Sequence, residues 1–227
     1  MQVGIATYEG PEDLPDLIPL FPLPEALLLP RGQMPLNIFE PRYLAMIDHA
    51  MAGDRIIGMV QPLVAPESEE EEVGEVFAIG CAGRITSYAE TGDGRYMICL
   101  TGISRFRIVE EVGPEPETGF RRARISATGF DADFIEDAGS DTVDRTHLLD
   151  TFRLYLDANH LEADWDSIEK ASNETLVNAL SMMSPYGMAE KQALLEAPDL
   201  KTRSETLIAL TEVSLARRPG GAPSQLQ

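Results

Sequence analysis

Residues 17–43, LIPLFPLPEALLLPRGQMPLNIFEPRY, combine a high apolar content with six prolines, Pro19, Pro22, Pro24, Pro30, Pro35 and Pro41. Proline lacks the backbone donor that a helix interior or a central ladder requires. Helix is therefore excluded before Pro41, and strand is confined to edges, strand starts and kinked segments. Residues 18–24 are expected as a short edge strand, and residues 27–39 as a buried strand entered and left by kinks. Pro41 suits the first position of a helix in which Leu44, Ile47 and Met51 share one face and Gly53 supplies the stop. No apolar run here reaches the roughly 18 residues that a membrane span demands.

From Arg55 to about Phe130 the periodicity is that of strands. Residues 55–62 form a short apolar run, residues 77–90 and 95–110 form two β-rich runs joined by the turn TGDG, and residues 119–130 supply one more. Pairing Glu90 with Arg95 across that turn puts Cys99 opposite Thr86 and Cys81 opposite Ser104, so no disulfide is expected. The acidic run at residues 67–75 lacks the spaced Asp and Gly of a calcium loop and reads as a solvated loop.

Past the linker-like DADFIEDAGSD, glycine thins out and helical spacing begins. Leu148, Leu149, Phe152, Tyr155 and Leu156 make one stripe, and Leu176, Val177, Leu180 and Met183 make another. Asp166 with Glu169 offers a capping pair for a short helix after Trp165, and two further helices are split by Pro198. Residues 218–227 carry Pro and Gly without apolar period and read as a loose tail.

Charge excludes some functions. With 38 acidic and 18 basic residues the chain carries a formal −20, which repels nucleic acid and anionic membranes alike. The first residues lack a basic region followed by an apolar one, so a cytoplasmic protein is expected. A P-loop is absent because Lys170, Lys191 and Lys201 all follow a residue other than glycine, and no G-x-S-x-G occurs. His49, His147 and His160 have no partner at zinc-ligand spacing. No catalytic residue, metal ligand or cofactor is assigned.

Two groups of residues remain as candidate binding elements. Alternation sets Arg105 and Arg107 on the face away from Phe106 and Ile108, and Arg122 with Arg124 on one face of the next strand. Should those faces coincide, four guanidiniums would take an acidic peptide or phosphate; pairing with the abundant carboxylates is the competing reading. The chain's nine methionines point to the second group: Met182, Met183 and Tyr186 stand at a helix break, and Met34 and Met59 beside the β portion. Methionine adapts to varied apolar partners, although it also fills cores.

These segments carry a resemblance. IPLFPL, LPRGQMPLNIFEPRY, VGEVFAIGCAGRI and YMICLTGISRFRI, in this order and spacing, with EKQALLEAPDL near the end, are similar to the substrate-binding N-terminal domain of Lon-type ATP-dependent proteases, from about Leu14 to Arg217. The resemblance implies an α+β fold, a PUA-like β pseudo-barrel with one helix followed by a C-terminal helical bundle. The expected division is an arm at 1–13, the barrel at 14–135, the bundle at 140–217 and the tail at 218–227. It also implies binding of unfolded or client proteins. Lon proteases continue into an ATPase module with a P-loop and a protease domain with a Ser-Lys dyad. Neither is in these residues, so the expectation is a stand-alone, non-enzymatic protein-binding module, an adaptor or modulator of proteolysis. The alternative is a small-molecule-binding or sensor module using the cleft between barrel and bundle.

Overall fold

The computed structural model describes residues 1–65 and 74–217. The acidic run, apart from Gly74 and Glu75, and the tail from residue 218 lie outside the described residues. A small hairpin, β1 (Gln2–Val3) with β2 (Ala6–Thr7), precedes the main sheet and buries Val3 and Tyr8 against it. The sheet is built from β3 (Leu17–Pro22), β4 (Gln33–Ile38), β5 (Ile56–Val60), β6 (Ile79–Glu90), β7 (Tyr96–Pro114) and β8 (Arg121–Ser126), with α1 (Pro41–Ala52) between β4 and β5.

The sheet closes on itself because β7 is 19 residues long and changes partners along its length. Its first half pairs with β4 and β6, and its second half leaves β6 and takes β8; Arg107 stands opposite both Ile79 and Ser126 at the crossover. β8 pairs with β3, β3 runs parallel to β5, and β5 pairs with β6, which completes a ring of five strands with β4 attached outside it. Register shifts at residues 82–83 and 85–87 of β6 and along the β7–β8 ladder provide the bends that closure of so small a barrel needs.

Phe106 fills the barrel, fully buried among Ile18, Leu20, Ile103 and Ala82. Room for its ring comes from two glycines. A Cβ on Gly58 would lie 2.8 Å from Phe106 Cζ, and one on Gly80 would lie 2.7 Å from the same atom and 2.5 Å from the Met59 carbonyl oxygen.

β3 is not the edge strand that its prolines imply, since it is paired on both sides. Each proline instead sits where a ladder has ended. The Leu23 amide donates to Val60 of β5, so Pro22 faces the β8 side, where pairing stops at Leu20–Arg121; Pro19 faces β5, where pairing starts only at Leu20–Gly58. The buried strand expected over residues 27–39 is likewise two things. Leu27, Leu28 and Leu29 are buried outside any strand, and β4 itself is the half-exposed edge. Pro35 stands opposite Cys99, whose carbonyl accepts from Thr86 of β6 at 3.2 Å, so the missing donor faces the open edge and discourages strand addition there.

The C-terminal helices are α2 (Arg145–Asn159), α3 (Trp165–Lys170), α4 (Asn173–Met183), α5 (Met188–Glu196) and α6 (Leu200–Ala216). Side-chain caps start α2, α4 and α6 at Asp144, Ser172 and Asp199; α3 is capped by Asp164 rather than by the Asp166–Glu169 pair. The buried faces are rotated from those the apolar spacing gives. α1 buries Tyr43, Met46, Ile47 and Ala50, and α4 buries Glu174, Leu176, Val177, Asn178 and Ser181, leaving Met183 exposed. One apolar core runs from Phe21, Leu28 and Ile57 on the sheet through Leu148, Val177, Leu194 and Leu207 on the helices, so sheet and helices are packed as one body.

Candidate functional site

Beside the shared apolar core, the helices also meet the barrel through buried polar contacts. Arg105 projects from β7 away from Phe106, as alternation requires, but helices and a turn cover that face, and the residue is 3% exposed. Its Nε and Nη2 donate to Asp133 Oδ2 and Oδ1 at 2.9 and 2.8 Å, and its own amide donates to Oδ2 at 2.9 Å. Nη1 reaches the carbonyls of Leu195 and Ala197, at the end of α5, and the guanidinium lies 4.8 Å from the Phe130 ring centroid. Arg203 of α6 donates to the Leu194 carbonyl at 2.9 Å and to Asn178 Oδ1 at 3.0 Å. Burial, with the neighbouring Arg105 charge, lowers the Arg203 pKa to about 10, so it stays charged at neutrality.

A third arginine opens this interface to the surface. Arg31 sits in the left-handed region at φ +64° between Pro30 and Gly32, donates Nη1 to the Asp133 carbonyl at 2.8 Å, and forms an ion pair with Glu174 of α4. The other Glu174 oxygen accepts from the Asp137 amide at 2.8 Å. The loop that carries Arg31 is held to the sheet by exchange with Gly102: the Arg31 amide donates to the Gly102 carbonyl at 2.8 Å, and the Gly102 amide to the Gly32 carbonyl at 2.9 Å.

Between that loop and α4 lies a cleft of about 260 Å3. Arg31 and Glu174 line it, with Glu136 and Asp137 on one side and Ala179, Met182 and Met183 on another. Met182 is packed so closely over Gly32 that a Cβ there would collide with its sulfur, and Met183 is 81% exposed. The volume falls below the roughly 300–1,000 Å3 usual for small-molecule sites.

The candidate residues are therefore scattered. The four arginines do not cluster: Arg105 is internal, Arg107 is exposed, Arg122 pairs with Glu115, and Arg124 lies 3.9 Å from Glu110. Of the methionine group, Met182 and Met183 meet at the cleft. Met59 is core, Met34 is packed against the core, and Tyr186 shares a 2.7 Å hydrogen bond with Thr211. Arg31, Asp133 and Glu174 were missed by reasoning from sequence. The available signal was a lone cation between Pro30 and Gly32 in the most apolar stretch of the chain. Among the described residues no group of three or more His, Cys, Asp or Glu could hold a metal ion, and no helix is long and apolar enough to cross a membrane.

A family model described as the ATP-dependent protease La (LON) substrate-binding domain matches residues 17–212, from the first residue of β3 nearly to the end of α6. The chain belongs to the LON substrate-binding domain family. Among its relatives, Lon protease 2 of Myxococcus xanthus is 27% identical over 88% of this chain and 24% of its own length. The Lon protease of Syntrophus aciditrophicus is 25% identical over 94% of this chain and 27% of its own. This LON-family chain thus spans about a quarter of the length of the relatives it matches. Two solved structures share the fold. The Lon N-terminal domain protein from Xanthomonas campestris superposes with a TM-score of 0.59 at 22% identity, over 85% of this chain and 97% of its own. The N-terminal domain of the Mycobacterium avium complex Lon protease gives 0.61 at 17%, over 86% and 98%. In the LON family member described here, the α+β class expected from sequence holds, and the cleft lies between parts that are both inside the matched span.

Proposed function

We propose that the chain is a protein-binding module that captures unfolded or exposed segments of client proteins, without cleaving them, and acts as an adaptor or modulator of proteolysis. The observation that carries this reading is the match over residues 17–212, which covers the recognition domain and none of the ATPase or protease domains of Lon. The geometry supports it by offering a cleft, walled by an adaptable methionine pair, on a body whose sheet and helices share one apolar core.

The test is binding of a permanently unfolded protein, reduced and carboxymethylated, compared with the same protein in its native form, read by fluorescence anisotropy with the full 227-residue chain. Capture of the unfolded form alone, with no loss of its full-length band over hours, is the expected outcome. Equal capture of both forms, capture of neither, or cleavage that persists through repurification overturns the reading.

A further inference from the structure

We infer that the cleft between the Arg31 loop and α4 selects client segments that are both apolar and positively charged. This rests on the client-binding reading above and specifies the chemistry of the segment. Three features of the cleft lead to it.

The first is charge. The Arg31 guanidinium, the one cation lining the cleft among the described residues, is already paired with Glu174 and held by the Asp133 carbonyl. Glu136 and Asp137 are exposed on the rim and have no cationic partner among the described residues. Of the other cations near it, Lys191 is buried with its Nζ donating to the Met182 carbonyl at 2.8 Å, Arg203 is sealed beneath Asn178, and the half-buried Arg145 is engaged by the carbonyls of Ala171, Ile168 and Glu169 and by Asn173 Oδ1. The accessible charge on the rim is therefore negative, within a chain of formal charge −20. An acidic segment would be repelled on approach and a basic one drawn in.

The second is apolar surface. Met183 stands 81% exposed at the end of a helix whose other large side chains are covered, and with Met182 and Ala179 it forms a wall that can reshape around a Leu, Met or Phe side chain. The third is size. About 260 Å3 accommodates one or two side chains rather than a folded element or a cofactor, so the occupant is a stretch of extended chain.

The experiment uses the full chain and two labelled peptides of about 13 residues that share Leu, Phe and Met positions and differ only in carrying four Lys or four Glu. At about 50 mM salt the basic peptide is expected to bind at least about 10-fold tighter than the acidic one, and the gap should shrink at about 300 mM. The variant Glu136→Lys with Asp137→Asn removes both rim charges, asparagine tolerating the φ of +56° at position 137 as aspartate does, and should cut that preference at least about fivefold. Met183→Ser should weaken the basic peptide without altering the salt dependence. Circular dichroism melting of each variant checks folding, and both sets of positions are exposed. Equal binding of the two peptides, or a preference that survives Glu136→Lys with Asp137→Asn, overturns the inference and leaves client binding standing. If neither peptide nor the unfolded protein binds, both fall together.

Discussion

Arg105 and Asp133, 28 positions apart, form a two-point ion pair with almost no solvent contact, side chains 4% and 7% exposed, and the Asp133 carboxylate also caps the Arg105 amide. A buried pair offers little net stability over an apolar replacement, yet removing one partner strands a charge. Asp133→Ala should therefore cost about 3–5 kcal/mol in urea unfolding, and the double variant Arg105→Met with Asp133→Leu should cost less than the single one. A loss under about 1 kcal/mol for Asp133→Ala would show that the pair does not hold the helices to the barrel.

The Phe106 ring and the two glycines beneath it make a second coupled set. Phe106→Ala should cost about 3–5 kcal/mol because rigid strands surround the void. Gly80→Ala should cost about 1–3 kcal/mol, since the new methyl meets the Met59 carbonyl at 2.5 Å as well as the ring. Combining Gly58→Ala with Phe106→Leu should cost less than the sum of the two, read by the same denaturation midpoints. Strict additivity would mean that the ring and Gly58 do not share space.

Sequence reasoning reached the elements better than their partners. The turn after Glu90 and the long apolar runs on either side fixed the β6–β7 hairpin, but its register is Glu90 opposite Tyr96, one residue from the expected Glu90–Arg95 pairing. The loop spans residues 91–95; a bulge at Thr86 restores the expected register over residues 83–85, and a second at Ile103 shifts it back, so Cys81 stands opposite Arg105 with the same one-residue offset. Alternation placed Arg105 on the correct side of its strand, and nothing local says that α5 and the Asp133 turn cover that side. Pro19 and Pro22 marked β3 as an edge because an interior proline normally breaks a ladder; ring closure by β7, a contact between distant residues, leaves both where no donor is missed. The same holds for α4, whose apolar spacing includes Met183 although the buried face turns to Glu174, Asn178 and Ser181 to meet Arg31 and Arg203. Polar residues at an interface carry no hydrophobic period, which is why the cleft was invisible in the sequence.

Cys81 and Cys99 are both free thiols with opposite exposure. Cys81 is 1% exposed in β6, and burial, helped by the Asp133 charge, pushes its pKa up, whereas Cys99 is half-buried on β7. A folded sample should give at most one equivalent in a thiol-disulfide dye assay, from Cys99, and two after addition of denaturant. Rapid release of two equivalents without denaturant would contradict the packing of β6.

Asp199 caps α6 by accepting from the Thr202 amide at 2.7 Å, and that backbone hydrogen bond, with one from the Thr202 side chain, holds its carboxyl below the ordinary value of 3.8. The folded pKa is the lower one, so the cap's contribution is complete above the unfolded value and is lost as pH falls through the folded value. Asp199→Ala should cost about 1 kcal/mol at pH 7, while Asp199→Asn, which caps nearly as well without titrating, should cost less and should flatten the acid limb of stability below about pH 4. An unchanged acid limb in Asp199→Asn would assign the acid sensitivity to other carboxylates.

Arg105 and Arg107 are two residues apart on one strand and share a face by alternation, yet the structure gives them opposite fates. Arg105 meets Asp133, the end of α5 and the Phe130 ring, while Arg107 is exposed at the point where β7 exchanges β6 for β8. Charge reversal separates the two roles. Arg105→Glu would set a second carboxylate against Asp133 in a site closed to water, and the chain should fail to fold or lose more than about 4 kcal/mol. Arg107→Glu should stay within about 0.5 kcal/mol of the parent, because water solvates either charge there. If the proposed cleft is where clients bind, capture of the unfolded protein by Arg107→Glu should equal that of the parent chain, since Arg107 does not line the cleft beside α4. A stable Arg105→Glu protein would mean that α5 does not seal this face of the barrel, and a binding defect in a folded Arg107→Glu protein would move the client surface from the cleft to the seam of the barrel.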